Sequence, residues 1–319
     1  MGGDSPAGAQ SRFLVLTGAT ASGKTSVSID LALKWAGEII SADSMQVYRG
    51  MDIGTAKPSM QERRGVPHHL IDILNPDETY SVADFQRLAR RAINSISSAG
   101  RLPMVVGGTA LYIRALVDDY YFPDAPSDPD LRRSLTVQAE REGVGALHRV
   151  LQGLDPQSAA RIHPNDRKRL IRAIEVCRVT GKPLSAFPRT VRPFASVLMV
   201  GLDMPRDELY ERIDARVEQQ IRDGLVQEVE RLRRMGYDER LFSMNSLGYR
   251  EIGDYLRGRS TLDDAIRLLK RNTRRFSKRQ LTWFRNDPRI NWIQAGHDRP
   301  RGAVLEDISN LIEGKWFLA

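Results

Sequence analysis

The 319-residue sequence predicts an α/β fold, a parallel sheet flanked by helices with an all-helical insertion. Three observations carry this. Residues 12–118 alternate short apolar strands with helical patterns, the rhythm of a doubly wound parallel sheet. Residues 18–25 read Gly-Ala-Thr-Ala-Ser-Gly-Lys-Thr, a complete phosphate loop set between a strand and a helix, which makes the sheet P-loop NTPase-like. Residues 119–130 then break the rhythm with Pro123, Pro126 and Pro129, and 131–182 read as helices only.

The elements follow in order. An apolar strand over 13–17 leads into the loop, and Val27, Ile29, Leu31, Leu33 and Trp35 mark a helix over 24–36. A second strand over 38–42 ends at Asp43 and Ser44. Ser81 and Asp84 form a capping-box-like start for a helix over 82–98, which Gly100 closes. A short buried strand over 102–106 ends in Gly107-Gly108-Thr109. The proline-containing stretch 183–193 leads to a strand over 197–202, and 205–285 is again helical, punctuated by Gly224, Gly236 and Gly253. The expected organisation is a disordered tail over 1–11, an α/β core over 12–120 with 195–319 whose C-terminal part is helical, and a helical insertion domain over 121–194.

Composition narrows the classes. No apolar run approaches the length needed to span a bilayer, and 1–11 lack the basic start and apolar stretch of a signal. The single Cys177 forms no internal disulfide, suits the reducing cytoplasm and falls in the apolar rhythm of a helix as a packed thiol. The five histidines have no metal-ligand spacing; His68 and His69 end a strand or loop before Leu70 and Ile71. A net charge of +8 fits a nucleic acid or an anionic metabolite.

The loop residues Gly18, Ala19, Thr20, Ala21, Ser22 and Gly23 turn backbone N–H groups inward, Lys24 adds a mobile charge, and Thr25 offers a hydroxyl to Mg²⁺. A nucleotide such as ATP or another di- or triphosphate fits such a loop. Ligands of open α/β sheets gather at the carboxyl ends of the strands. Asp43 stands at one, as a general base or a metal ligand, and Thr109 at another. The later apolar strand ends in Gly-Gly-Thr where an ordinary phosphate-loop NTPase places an Asp for Mg²⁺, and Asp72 is a weak substitute. Two helices are basic. One carries Arg167, Lys168, Arg169 and Arg172. The other carries Arg267, Lys270, Arg271, Arg274, Arg275, Lys278, Arg279 and Arg285 with no acid between them, opposite Ile266, Leu269, Phe276 and Trp283. That stripe reads as a binder of backbone phosphates.

The loop, the block Asp43-Ser-Met-Gln-Val-Tyr-Arg-Gly-Met-Asp-Ile-Gly-Thr-Ala-Lys-Pro58 and the segment Val106-Gly-Gly-Thr-Ala-Leu-Tyr112 together resemble the tRNA dimethylallyltransferase (tRNA isopentenyltransferase) family. So do His163-Pro-Asn-Asp166, Gly248-Tyr-Arg-Glu251 and Lys278-Arg-Gln-Leu-Thr-Trp-Phe-Arg285. The resemblance implies transfer of a dimethylallyl group from dimethylallyl diphosphate to the N6 amine of the adenosine just 3′ of the anticodon, the base being flipped out to react. It implies that Asp43 takes the amine's proton, that Lys24, Mg²⁺ and Arg216 neutralise the departing diphosphate, and that Thr109 orients the adenine or Asp43. It implies tRNA contacts at Asp43, Ser44, Met45, Gln46, Thr109, Arg132, Lys168, Arg169, Leu170, Ile171, Arg172, Asn245, Ser246, Leu247, Gly248, Tyr249, Arg250, Arg274, Lys278 and Arg279. It further implies the anticodon stem-loop as partner and a cytoplasmic, monomeric enzyme with no membrane partner. Asn245 stands where the family usually has Arg, and Ala19 where proline is common. No Cys/His zinc finger follows Arg285, as in the bacterial form. Rival readings are an isopentenyltransferase acting on free adenine nucleotides, a small-molecule kinase using ATP, and an RNA-binding module with a vestigial loop.

Overall fold

A computed structural model describes residues 12–191 and 196–317, so the expected tail lies outside the described residues. The described chain divides into two compact units, one running to Val117 and resuming at 196, the other beginning at Asp118.

The first unit is built on a six-stranded, all-parallel sheet. Its strands are β1 (Phe13–Gly18), β2 (Gly37–Ser41), β3 (His68–His69), β4 (Leu102–Val106), β5 (Val197–Asp203) and β6 (Ile290–Gln294), in the order β3-β2-β4-β1-β5-β6. β1 is buried along its whole length, the continuous apolar run expected of a strand covered on both faces. Its side chains alternate: Phe13 and Val15 pack on one face with Phe85, Ile113 and Phe284, while Leu14 and Leu16 pack on the other with Ile29, Leu31 and Ile308. The helices supplying these layers are α1 (Lys24–Lys34), α3 (Val82–Ser98), α4 (Ala110–Val117), α12 (Leu262–Arg285) and α13 (Arg301–Trp316); a one-turn α2 (Met60–Arg63) lies between β2 and β3. α3 starts where its sequence says it should: Asp84 N–H donates to Ser81 Oγ at 3.1 Å and Ser81 N–H to Asp84 Oδ2 at 3.2 Å.

The second unit holds α5 (Pro129–Glu142), α6 (Val144–Leu154), α7 (Pro156–Arg161) and α8 (Arg167–Thr180) around a core of Leu135, Leu147, Leu151, Leu170 and Ile174. Cys177 is buried in that core, and burial pushes its thiol pKa up. Back in the first unit, α9 (Arg206–Arg222), α10 (Leu225–Arg234) and α11 (Tyr249–Leu256) pack with α12 around Val217, Val229, Ile252 and Leu269.

Three sequence readings are corrected. The first helix ends at Lys34, with Ala36 taking a positive φ of 47° to turn into β2. Gly253 does not punctuate; it lies inside α11, and the break is Gly248 at φ 89°, whose N–H is bound by Glu251 Oε2 at 3.0 Å. Trp283 is 43% exposed rather than on the apolar side, because α12 turns Gln280 and Phe284 inward and leaves Trp283 beside Arg114. β6 and α13 carried no distinct signal in the sequence reading, β6 being a partly exposed edge strand.

Candidate functional site

The strand order sets the site. β2, β4 and β1 are neighbours, so Asp43, the Gly107-Gly108-Thr109 turn and the phosphate loop come together at one end of the sheet. The ends are tied by Ala42 N–H to Val106 O (2.8 Å), Thr109 N–H to Ala42 O (3.2 Å) and Thr17 Oγ1–H to Gly107 O (3.1 Å). Glycine is required at 107, since a Cβ there would meet Ala42 O at 2.3 Å.

Two cavities open here. The inner one is lined by Thr20, Ala21, Gly23, Lys24, Thr25, Asp43, Gln46 and Arg216. The outer one is lined by Ser44, Met45, Thr109, Asn245, Ser246, Leu247, Arg250 and Arg279, with Arg275 and Gln220. Both share Thr20, Asp43, Thr55, Ala56, Arg216 and Phe276. Those six residues lie where the two cavities adjoin.

In the loop, Gly23 at φ 88° precedes α1 with no side-chain cap, leaving the helix's first amides to whatever the inner cavity binds. Lys24 Nζ donates to Gly18 O at 3.0 Å and Ala19 O at 2.6 Å. Burial and the nearby Arg216 push its pKa down to about 7, against the pull of Asp43. Burial also lowers Arg216. Asp43 Oδ1 accepts from Met45 N–H (2.8 Å) and Gln46 N–H (3.3 Å). Burial raises its pKa, and those amides with Lys24 and Lys57 work against the rise. Thr109 Oγ1 accepts from Ser44 N–H at 3.2 Å, fixing the residue after the carboxylate.

The geometry separates the remaining sequence-predicted residues. Gln46 lines the inner cavity, its side chain held by Ser41 and by the carbonyls of Thr55 and Ala56. Asn245 lines the outer cavity, but its amide donates to the carbonyls of Glu239 and Leu241, so it fastens a turn where an arginine would reach out. Tyr249 is 1% exposed and donates its hydroxyl to Glu228 at 2.6 Å. Gly248 lines neither cavity. Leu170 and Ile171 belong to the buried core of the second unit. In that unit Arg132 and Arg172 are both bound to the buried Glu175, whose burial is outweighed by the two guanidinium groups, which hold it down at about 2. Lys168 and Arg169 remain exposed on α8, Arg169 near Asp166 at 3.3 Å.

The α12 stripe is only partly free. Arg267, Lys270, Arg274 and Arg285 pair with Asp264, Glu218, Asp214 and Asp203. Among the described residues, Arg271, Arg275, Lys278 and Arg279 have no acidic partner, although Arg279 lies over the Phe276 ring at 5.8 Å. Asp72 lines neither cavity; it is bound by Lys57 at 2.5 Å. No group of three or more His, Cys, Asp or Glu side chains among the described residues could hold a metal ion.

Sequence reasoning missed Gln280 and Glu228. Gln280 lies within a quoted block but looked like one more polar residue on a basic helix. Glu228 accepts from the backbone N–H groups of Asp52, Ile53 and Gly54 at 3.0, 2.9 and 3.1 Å, and no sequence pattern marks it.

The family model for IPP transferase matches residues 46–287. A tRNA dimethylallyltransferase of Desulforudis audaxviator is 52% identical over 94% of this chain and 97% of its own length. The chain belongs to the tRNA dimethylallyltransferase family. Among solved structures, the full-length tRNA isopentenylpyrophosphate transferase of Bacillus halodurans is 46% identical with a TM-score of 0.72, covering 96% of each chain. A eukaryotic dimethylallyltransferase crystallised acting on tRNA is 28% identical with a TM-score of 0.82, covering 95% of this chain and 78% of that one. Other dimethylallyltransferases match at similar strength, such as that of Geobacillus thermodenitrificans at 48% identity over 95% of this chain and 97% of its own length.

Proposed function

We infer that this chain is a tRNA dimethylallyltransferase that moves the dimethylallyl group from dimethylallyl diphosphate to the N6 amine of the adenosine 3′ of the anticodon. The observation that carries this is the lining the two cavities share. An anion cavity and an outer cavity rimmed by Arg250, Arg275 and Arg279 share Asp43 and Arg216, so a diphosphate ester and a flipped base can meet there.

The loop amides, Lys24 and Arg216 hold the diphosphate. As the C–O bond to the diphosphate breaks and the C–N bond forms, the exocyclic amine must lose a proton, and Asp43 accepts it. Thr109 sets the Ser44 backbone and, with it, the aim of that carboxylate. The diphosphate's charge favours the ammonium form of Lys24, against the burial and the Arg216 charge that push its pKa down.

Mg²⁺ fits this site. Thr25 is exposed and lines the inner cavity together with the oxygen-bearing side chains of Ser41 and Asp43. Thr25 would hold the ion, as a magnesium site with few protein ligands would need no carboxylate cluster. When bound it would neutralise diphosphate charge. Ser44, Met45, Ser246, Leu247, Arg250 and Arg279 contact the tRNA at the outer cavity, Lys278 the adjoining backbone, and Lys168 and Arg169 further phosphates. The enzyme works as a cytoplasmic monomer, a setting its single buried Cys177 suits. No helix among the described residues is long and apolar enough to cross a membrane.

The test is product identity. Incubation with dimethylallyl diphosphate and unmodified tRNA should add one C₅H₈ group to a single adenosine beside the anticodon, with diphosphate released. A product on AMP but none on tRNA would instead favour the free-nucleotide transferase, and phosphate transfer from ATP the kinase.

A further inference from the structure

Gln280 projects from α12 into the junction of two strand ends. It is 6% exposed. Its Oε1 accepts from Thr20 N–H in the phosphate loop at 2.8 Å, and its Nε2 donates to Gly108 O at 2.9 Å in the turn that carries Thr109. Both ends of one amide are thus spent on the two loops that hold the reacting partners. Gly108 is shaped to receive it, since a Cβ at that position would lie 2.2 Å from Gln280 Nε2. The neighbouring residues on α12, Lys278 and Arg279, are exposed. One helix therefore presents cations to solvent while its buried amide grips the phosphate loop.

We propose that Gln280 is a positioning residue, which sets the spacing between the diphosphate-holding loop and the Thr109–Ser44–Asp43 end that receives the adenine. This rests on the transferase reading given above. Gln280 also lines the inner cavity, but both ends of its amide are taken up by Thr20 and Gly108, and it is through them that it acts. Losing it lets the two loops drift by a fraction of an ångström, which penalises the chemical step more than either binding step. A misplacement of about 1 Å costs on the order of 10²-fold in rate.

The test compares wild type, Gln280→Ala, Gly108→Ala and the double variant in single-turnover transfer at saturating dimethylallyl diphosphate and anticodon stem-loop, with thermal melting of each. Wild type must first transfer; if it does not, the transferase reading fails and not merely this inference. With active wild type, Gln280→Ala is expected to lower the single-turnover rate by about 10- to 100-fold, with the dissociation constants of both substrates moving less than about threefold. Gly108→Ala should lower the rate comparably by pushing the amide aside. The double variant should be no slower than Gln280→Ala, because the added methyl then meets no amide. Rates within twofold of wild type in folded Gln280→Ala, or fully additive losses in the double variant, would overturn the proposal. So would a loss confined to substrate binding.

Discussion

Arg216 stands beside Lys24 in the inner cavity, and after burial its charge is the second reason that the Lys24 ammonium is pushed down from 10.5 to about 7. A cationic pair held so close that Asp43 and Glu62 offset it only in part favours an anion. Dimethylallyl diphosphate binding should therefore take up protons, weakening by up to about tenfold per pH unit above 7 as Lys24 loses its charge. Lys24→Arg, which stays charged, should flatten that dependence. Titration calorimetry in two buffers of different ionisation enthalpy reads the proton uptake directly; none at pH 8 would contradict the assignment.

The same shift has a stability signature of fixed sign. The folded state binds fewer protons at Lys24 than the unfolded state between about 7 and 10.5, so this site's contribution to stability rises with pH across that window. Below 7 the buried charge is a cost. Lys24→Met should melt higher than wild type at pH 6, by about 2–4 °C, with the gap closing toward pH 10. A lower melting temperature at pH 6 would show that the ammonium's bonds to Gly18 O and Ala19 O outweigh its burial.

Glu228 bears on the outer cavity from behind. It binds three consecutive amides at 52–54 and the Tyr249 hydroxyl, whose pKa burial raises well above 10, so the phenol remains a donor. Glu228→Ala would strand the buried Tyr249 hydroxyl and three part-buried amides, and should cost about 2 kcal/mol in urea unfolding. Gly54→Ala should be as damaging, because its Cβ would fall 2.4 Å from the Tyr249 ring. Both should weaken tRNA more than diphosphate, since Gly54 lines only the outer cavity. Wild-type stability in both variants would refute this.

The cations of α12 should not be equal. Removing Arg271, Arg275, Lys278 or Arg279, which have no acidic partner among the described residues, should weaken tRNA binding and reduce its log–log salt slope by about 0.7 per charge. Removing Arg267 or Lys270 should change the slope less, because each already neutralises a protein carboxylate. Equal slopes for the two sets, measured by filter binding of an anticodon stem-loop between 50 and 300 mM salt, roughly the range over which such contacts are read, would mean the protein's own pairs open on binding.

Much of this site was legible in the sequence because the chemistry sits on strand ends. Gly18–Thr25, Asp43 and Thr109 lie at breaks between apolar runs, and a parallel sheet brings such breaks together. The burial of Tyr249, Leu170 and Ile171 was not legible, because likeness to a family marks positions and does not tell a core side chain from a surface one. The α12 stripe was right in sign, but its pairing with Asp214 and Glu218 depends on α9 packing alongside, which helical spacing within one segment does not reveal. Gln280 and Glu228 were missed because each works through backbone amides or carbonyls far away in the chain.

The account's central claim is that the two cavities meet at Asp43 and that this carboxylate accepts the amine's proton. Its most direct test is the single-turnover rate of Asp43→Ala with both substrates saturating. Transfer should slow by about 10²- to 10⁴-fold while stem-loop affinity stays near wild type, and the wild-type rate should fall on acidification with a limb above the ordinary aspartate range, since burial raises this group. A folded Asp43→Ala enzyme with near-wild-type single-turnover transfer would contradict it.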